Sequence, residues 1–447
     1  MRSSTFKRLD AVLERNHGRS NRSEKSSTPR DRSFIRKGKL HSGLGWAIRI
    51  LSDNACLAFP KVPLIPPMRD APFIAVGGGL AGAAFALELA RNGAPVSVLE
   101  STRAAHHKVC GEFLSAEAQA LVAYLGLDLK AMGATSVSTF RLASGNRHAE
   151  SPLPFRGAGF SRYRLDQALL QAAENAGATV ERGVTVSHIE PGDGLVTLKA
   201  GSRTFEGRAA AIATGKHNLR QYSRAASDMV GFKLQLSPTS NALRLLEDVV
   251  QLVMFDGGYI GACIVEDELV TLCWVMHRAL LQRIGASWPS QAAHFSQQSE
   301  ILGSLVQGAR PQWDKPIAIA GIPYGYLRRA VIAPTIFPLG DQLAVIPSFT
   351  GDGMAIALYS GIAAAQAVLA GDTAAQFQHR IIDRLRPQFR WTGLVNLLFD
   401  TKMTHGLSVR LAAALPGLVT WIAQSTRLRG FEDVMKGPKV SAPGLSA

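Results

Sequence analysis

The chain has 447 residues, 47% of them hydrophobic, which is enough for a large core and more than one domain and excludes both a stapled miniprotein and a wholly disordered chain. Its four cysteines and eleven histidines show no Cys-x-x-Cys, Cys/His or His-Glu-x-x-His spacing, so no metal centre is expected. The net charge of +15 is uneven: residues 1–67 hold 14 Lys and Arg against 5 Asp and Glu, so the basic excess belongs to the N-terminal stretch and no nucleic-acid partner is expected.

Taken in chain order, Arg2 to Lys39 is rich in Arg, Ser and Lys and poor in apolar residues, and residues 1–67 are expected to be a basic, disordered extension. A polybasic arm, a targeting peptide and a start assigned upstream of Met68 all suit this composition; the last is preferred, because Met68 lies just before the first strand. Gly43 to Phe59 is apolar but carries Arg49, Asp53 and Asn54, too short and polar for a membrane span.

Phe73 to Val76 reads as a buried strand. Gly77, Gly79 and Gly82 then form G-x-G-x-x-G, a helix follows from Leu80 to Asn92, and a second strand, Val96 to Leu99, ends at Glu100. Gly77 permits the tight turn, Gly79 lets a pyrophosphate reach the backbone, and Gly82 lets helix and strand pack closely. The helix start at Leu80 and Ala81 offers free N–H groups to the phosphates, and Glu100 is placed to accept from ribose hydroxyls. Strand, loop, helix, strand and acid together predict a dinucleotide site.

Further on, Ser136 to Arg147 reads as strands around a Ser144-Gly145-Asn146 turn, Leu165 to Ala176 as a helix, and Thr179–Glu181, Thr185–Glu190 and Val196–Ala200 as short strands. Ala209 to Thr214 is a buried strand. Phe232–Leu236, Val249–Phe255, Tyr259–Val265 and Leu269–Met276 predict an antiparallel sheet. Ala279–Ile284 and Gln291–Val306 predict two helices. Ile336 to Asp341 is an apolar run ending in Gly340-Asp341, followed by Thr350-Gly351-Asp352-Gly353-Met354 and a small-residue helix from Ala355 to Leu369. Trp391–Phe399 and Leu407–Ile422 are apolar helices, the second broken by Pro416 and rimmed by Arg410, Arg427 and Arg429. They read as a helix pair packed on the body or as a peripheral membrane contact.

The two glycine-rich segments, in this order, resemble the FAD motifs of the flavoproteins that include geranylgeranyl reductases and aromatic-ring hydroxylases. The resemblance covers about residues 70–375. It implies FAD, with Asp341 on the ribityl chain and Gly351, Gly353 and Met354 at the flavin pyrimidine edge. Lys108 to Leu114 resembles the Cys-Gly segment of the reductases, which implies Cys110 beside the flavin; Glu112 stands where those enzymes continue with glycine. Arg162, Leu165, Asp166 and Leu169 match the family's Arg-x-x-Leu-Asp-x-x-Leu. Ala213-Thr214-Gly215 matches Ala-Asp-Gly with Thr214 in place of the acid, which leaves the electron donor open between NAD(P)H and another donor.

The expected fold is an α/β, Rossmann-like FAD-binding domain of the glutathione-reductase type (68–225 and 326–375), an antiparallel-sheet substrate domain (226–325, with strands from 136–160) and a C-terminal helical region (376–447). The expected enzyme is a cytoplasmic FAD-dependent oxidoreductase of a lipophilic small molecule, membrane-associated if the C-terminal helices serve that role. The resemblance implies hydride transfer to a carbon–carbon double bond; the alternatives are monooxygenation of an aromatic or polyketide substrate and a non-catalytic flavoprotein. The chain lacks the Trp-x-Trp-x-Ile-Pro segment of flavin halogenases. Cys110 and Glu112 are the catalytic candidates, against packing and surface-charge readings. His106, His107, Lys108 and His217 are secondary candidates. Phe232, Phe255, Tyr259 and Trp274 are expected to line the substrate pocket, closed by Ile322 to Tyr326. Cys263 and Cys273 read as reduced, buried side chains.

Overall fold

In a computed structural model that describes residues 71–396 and 402–437, each apolar run pairs as its side-chain period dictates. The readings of residues 1–67, Cys56 included, and of the apolar run at Leu397–Phe399 lie outside the described residues. The chain begins with β1 (Phe73–Val76), α1 (Leu80–Arg91), β2 (Val96–Glu100), β3 (Phe113–Leu114) and α2 (Ala116–Tyr124). A long hairpin follows, β4 (Thr135–Ser144) and β5 (Arg147–Gly159), then α3 (Arg162–Asn175) and the short strands β6 (Thr179–Arg182), β7 (His188–Pro191), β8 (Val196–Ala200), β9 (Arg203–Gly207) and β10 (Ala210–Ile212).

Next come β11 (Met229–Ser237), α4 (Ser240–Leu246), β12 (Val249–Phe255), β13 (Gly258–Ile264) and β14 (Val270–His277). The helices α5 (Arg278–Ile284), α6 (Trp288–Gln298) and α7 (Glu300–Val306) lead to β15 (Arg310–Pro311), β16 (Ile317–Ala320), β17 (Tyr326–Leu327), β18 (Ile336–Pro338) and β19 (Ala344–Val345). The described chain closes with α8 (Gly353–Leu369), α9 (Ala374–Asn396), α10 (Lys402–Ala414) and α11 (Pro416–Ser425).

Five parallel strands, ordered β18-β10-β1-β2-β6, form the sheet behind the glycine-rich loop. β1, β10 and β18 are apolar and buried throughout, as parallel strands covered on both sides must be, whereas the edge strand β6 is partly exposed. One face is covered by α1, which is buried from Leu80 to Leu89 and packs on α8. Close approach of these helices needs Gly361: a Cβ there would lie 2.3 Å from the Ala81 carbonyl oxygen. The other face meets the β7-β8-β9 ribbon through Ile189, Val196 and Leu198.

The second sheet has nine strands, in the order β15-β11-β14-β13-β12-β4-β5-β3 with β16 paired to β11. All its ladders are antiparallel except β12–β4. The expected antiparallel sheet is therefore continuous with the hairpin from residues 135–159.

Three local expectations change. The helix expected from Leu165 begins at Arg162, because Ser161 caps it by accepting from the Arg164 N–H. The run Gln291–Val306 is two helices, since Ser299 adopts extended angles (φ −162°, ψ 136°). The strand expected over Thr185–Glu190 begins only at His188, and β9 pairs with β8 where no strand was expected.

Candidate active site

The glycine-rich loop builds an anion cradle. Gly77 has φ +105°, and a Cβ on it would meet the Ala213 carbonyl oxygen at 2.6 Å; a Cβ on Gly82 would lie 1.9 Å from the Gly77 carbonyl oxygen. Gly79 caps α1 without a side-chain bond, so the first N–H groups of the helix are open. A Cβ on Gly79 would point at Lys108 Nζ (3.3 Å) and Arg162 Nη2 (3.5 Å). Open amides, the positive helix end and two cations thus converge on one spot. Arg162 forks onto Asp166 (2.6 and 2.9 Å) and Lys108 donates to the same carboxylate at 2.7 Å. Burial opposes ionisation of Asp166, but Arg162 and Lys108 prevail and hold its pKa down at about 2.

Glu100 lies at the end of β2, as read from the sequence. Its Oε2 accepts from the Gly78 N–H (2.7 Å) and its Oε1 from the Thr102 N–H (2.9 Å) and hydroxyl (2.8 Å). Burial alone would raise its pKa; these bonds and Lys108 bring it below the ordinary value. Leu80, Ala81, Glu100 and Arg162 all line one cavity of about 900 Å³.

The cavity runs on to Gly340 and Asp341. Asp341 is an ion-pair partner of Lys216 (3.2 Å), and Arg224 holds the carbonyls of Asp341 and Gly215. Thr214 has a local role: its hydroxyl donates to the His217 carbonyl at 2.7 Å and accepts from Gln342 Nε2 at 2.9 Å. His217 is an exposed residue at the cavity, its pKa lowered by desolvation and then by Lys216 and Arg224. Past Asp341 stands the N-terminus of α8, which has no side-chain cap. Gly351 reaches it with φ +68°, and a Cβ there would strike the Phe113 ring at 2.7 Å. Gly353 and Met354 border the cavity at this helix start.

The Cys110 loop lies opposite. Cys110 is half-buried, borders the cavity and accepts weakly from the Glu112 N–H (3.4 Å). Glu112 is not a surface charge. It is fully buried at φ +58°, ion-paired with the equally buried Lys233, and accepts from Thr271, Gln235 (2.9 Å) and the Arg162 N–H (2.7 Å). These four donors tie the Glu112 carboxylate, and with it the loop, to β11, β14 and the start of α3. Lys233 and Gln235 were missed in the sequence; their signal is two polar residues at period two inside a buried strand. His107 stacks on Tyr163 (4.8 Å) and packs against Trp313 (4.5 Å); burial and then Lys233 lower its pKa to about 4. His106 bonds Thr102.

Alternation splits the sheet aromatics between two faces. Tyr259, Cys273 and Val275 face the cavity, with Phe140, Leu142 and Ile319 beside them. Phe232, Phe255 and Trp274 face the other way: Trp274 is fully buried against Phe232, Trp288 and Phe295 and donates to Gln291 at 2.7 Å. Those three are core residues, contrary to the expectation that they line the pocket. Tyr324 does close the cavity, and its hydroxyl donates to Ser348 Oγ (2.9 Å), which Tyr259 also bonds (2.6 Å). Burial pushes Tyr259 up to about 12 and Tyr324 upward too, so both are uncharged phenols at neutral pH. Cys263 and Cys273 are reduced; burial raises both thiols, Cys273 to about 12. The far wall comes from α10 and α11, through Leu411, Leu418, Val419 and Ile422.

Residues 70–207 match the family profile described as the FAD binding domain. The chain is 23% identical over 397 residues to "Protein FixC" of Escherichia coli O157:H7, covering 78% of this chain and 89% of that one. It is 23% identical over 326 residues to a tryptophan 2-halogenase of Chondromyces crocatus, covering 66% and 60%. Among solved structures, flavin-dependent brominase Bmp2 superposes with a TM-score of 0.66 at 16% identity, covering 81% of this chain and 96% of that one. Halogenase PltM in complex with phloroglucinol and FAD gives 0.64 at 14% identity, covering 81% and 85%. At these identities the structural likeness speaks for the fold. The residues fit FAD: the cradle at Gly79 takes an anion that a Cβ would displace, and the cavity continues from it past Asp341 to the open end of α8. The protein is an FAD-dependent enzyme, an oxidoreductase.

Proposed function

We propose that this oxidoreductase acts on a lipophilic substrate held between the second sheet and the helices α10–α11, and that its reaction is reduction of a carbon–carbon double bond. The observation that supports this is the cavity beyond the cofactor cradle. Its walls are Phe140, Leu142, Tyr259, Val275, Leu418 and Ile422, with few charges to hold a polar molecule. FAD, when bound, supplies hydride transfer. The chain's part is to orient the substrate by apolar burial, exclude water, and hold a proton at Tyr259 Oη. That phenol stays protonated, and Ser348 and Tyr324 form a hydrogen-bonded path behind it. Cys110 is the second group bordering the reacting space.

The test is anaerobic reduction of the holoenzyme, then exposure to a prenyl-chain alkene and, separately, to oxygen with an aromatic substrate. Reoxidation of the flavin with saturation of the alkene supports the proposal. Reoxidation by oxygen alone, with a hydroxylated product, moves the assignment to a monooxygenase. That second reading draws on the relatives: a tryptophan 2-halogenase, and a halogenase in complex with phloroglucinol and FAD. The rings of Phe140, Phe155 and Tyr259 are suited to stack on an aromatic substrate.

The outer faces of the same C-terminal helices support a peripheral membrane contact, on the cytoplasmic side, as the route by which a lipophilic substrate enters. Among the described residues, Met403, Leu407, Leu415 and Trp421 are exposed on these helices, and Trp391 and Leu394 on the neighbouring α9. No described helix is long and apolar enough by itself to cross a membrane; α10 and α11 reach that composition only as a pair bent by 105°. Flotation of the full chain with phosphatidylglycerol vesicles tests this. Leu415→Ser with Trp421→Ser should abolish flotation and leave FAD binding unchanged; unchanged flotation would count against the contact.

A further inference from the structure

Arg427 follows α11 and reaches back about 77 positions along the sequence to the turn that starts α8. Its Nη2 donates to the Thr350 carbonyl, its Nε to the Ala423 carbonyl (3.0 Å), and its guanidinium lies over the Phe155 ring (5.3 Å). Its side chain is 10% exposed, and Nη1 has no hydrogen-bond partner, being 3.6 Å from Asp352 Oδ1. Asp352, at the N-cap position of α8, is fully buried. It accepts from Gln388 Nε2 and the Leu428 N–H (2.9 Å) at one oxygen and from the Ser115 hydroxyl (3.1 Å) at the other. Every one of these partners is a donor, as a carboxylate requires. Glu117 on α2 also faces Asp352; burial and that neighbouring charge raise its pKa.

The cavity that starts at the Gly79 cradle also reaches this turn. An FAD held by its pyrophosphate at Gly79 and extending along the cavity past Asp341 would bring its ring toward Thr350, Gly351 and Gly353, which line the same cavity at the open amides of α8. Arg427 borders the cavity there. A buried cation with an unpartnered N–H beside an uncapped helix start favours negative charge at that end of the cofactor. The C-terminal helices therefore do more than roof the substrate space.

We infer that Arg427 is a positioning residue of the cofactor site: it clamps the Thr350–Gly353 turn and, against the opposing charge of Asp352, sets how readily the flavin accepts electrons. This rests on FAD binding and is independent of the substrate.

The experiment measures the FAD dissociation constant and the flavin midpoint potential in the full-length holoenzyme and in Arg427→Met, Arg427→Lys and Asp352→Asn. Losing one buried charge-assisted contact should weaken FAD binding by about tenfold in Arg427→Met, with the midpoint moved to more negative potential. Arg427→Lys should recover most of the potential. Asp352→Asn, which leaves Arg427 uncompensated, should move the potential the opposite way. A purely structural clamp would shift both charge-changing variants in the same direction, or neither, and either result overturns the inference. If Arg427→Met does not fold, Asp352→Asn decides alone: an unchanged or more negative potential refutes the assignment.

Discussion

Replacing Gly79 by alanine separates cofactor binding from folding. Gly79 has φ −79° and ψ −173°, an extended conformation open to any residue, so the backbone need not strain. As an N-cap, alanine is poorer than glycine, a cost of about 0.5–1 kcal/mol in stability. The added methyl lies in the anion cradle, 3.3 Å from Lys108 Nζ and 3.5 Å from Arg162 Nη2. A pyrophosphate kept off the α1 amides loses at least one hydrogen bond to a charged group, about 1.5–3 kcal/mol, which is roughly ten- to a hundredfold in dissociation constant. Titration of apoprotein with FAD, followed by flavin fluorescence, reads the affinity, and thermal melting of the apoprotein reads the fold. Gly82→Ala is the comparison. Its Cβ would lie 1.9 Å from the Gly77 carbonyl oxygen, so backbone must move and the melt should drop steeply. If Gly79→Ala bound FAD within threefold of the wild type, or melted as low as Gly82→Ala, the cradle would be misassigned.

Three more outcomes are expected. Trp274→Ala removes a fully buried indole on the face away from the cavity, so it should cost about 3–5 kcal/mol in urea unfolding with the substrate KM unchanged. Tyr259→Phe keeps the ring but removes the proton-bearing oxygen; turnover on an identified substrate should fall by about a hundredfold with FAD affinity unaltered, and full activity would remove Tyr259 from the mechanism. The folded state holds His107 neutral down to about pH 4, whereas the unfolded chain takes up a proton near its ordinary value of 6.5. Stability should therefore decline as pH falls from 6.5 toward 4, and His107→Phe should flatten that decline in denaturation midpoints taken at pH 7 and pH 4.5.

What the sequence by itself determined was local. The cofactor loop was legible because its geometry is set within some thirty residues: a buried strand, glycines where a Cβ would collide, a helix start and Glu100 at the next strand end. The strands of the second sheet were legible from their period, and so were their two faces. Which face met the cavity was not, because alternation places Trp274 opposite Cys273 and Val275 without saying what covers each side. Only the tertiary structure decided that α6 covers the Trp274 face while the cavity and α10–α11 take the other. Glu112 read as a catalytic acid or a surface charge, because its partners Lys233 and Thr271 lie 121 and 159 residues away. Arg427 read as a rim charge until the fold set it beside Thr350 and Asp352. A buried ion pair depends on which distant segments share a low-dielectric space, and only the assembled chain decides which segments those are.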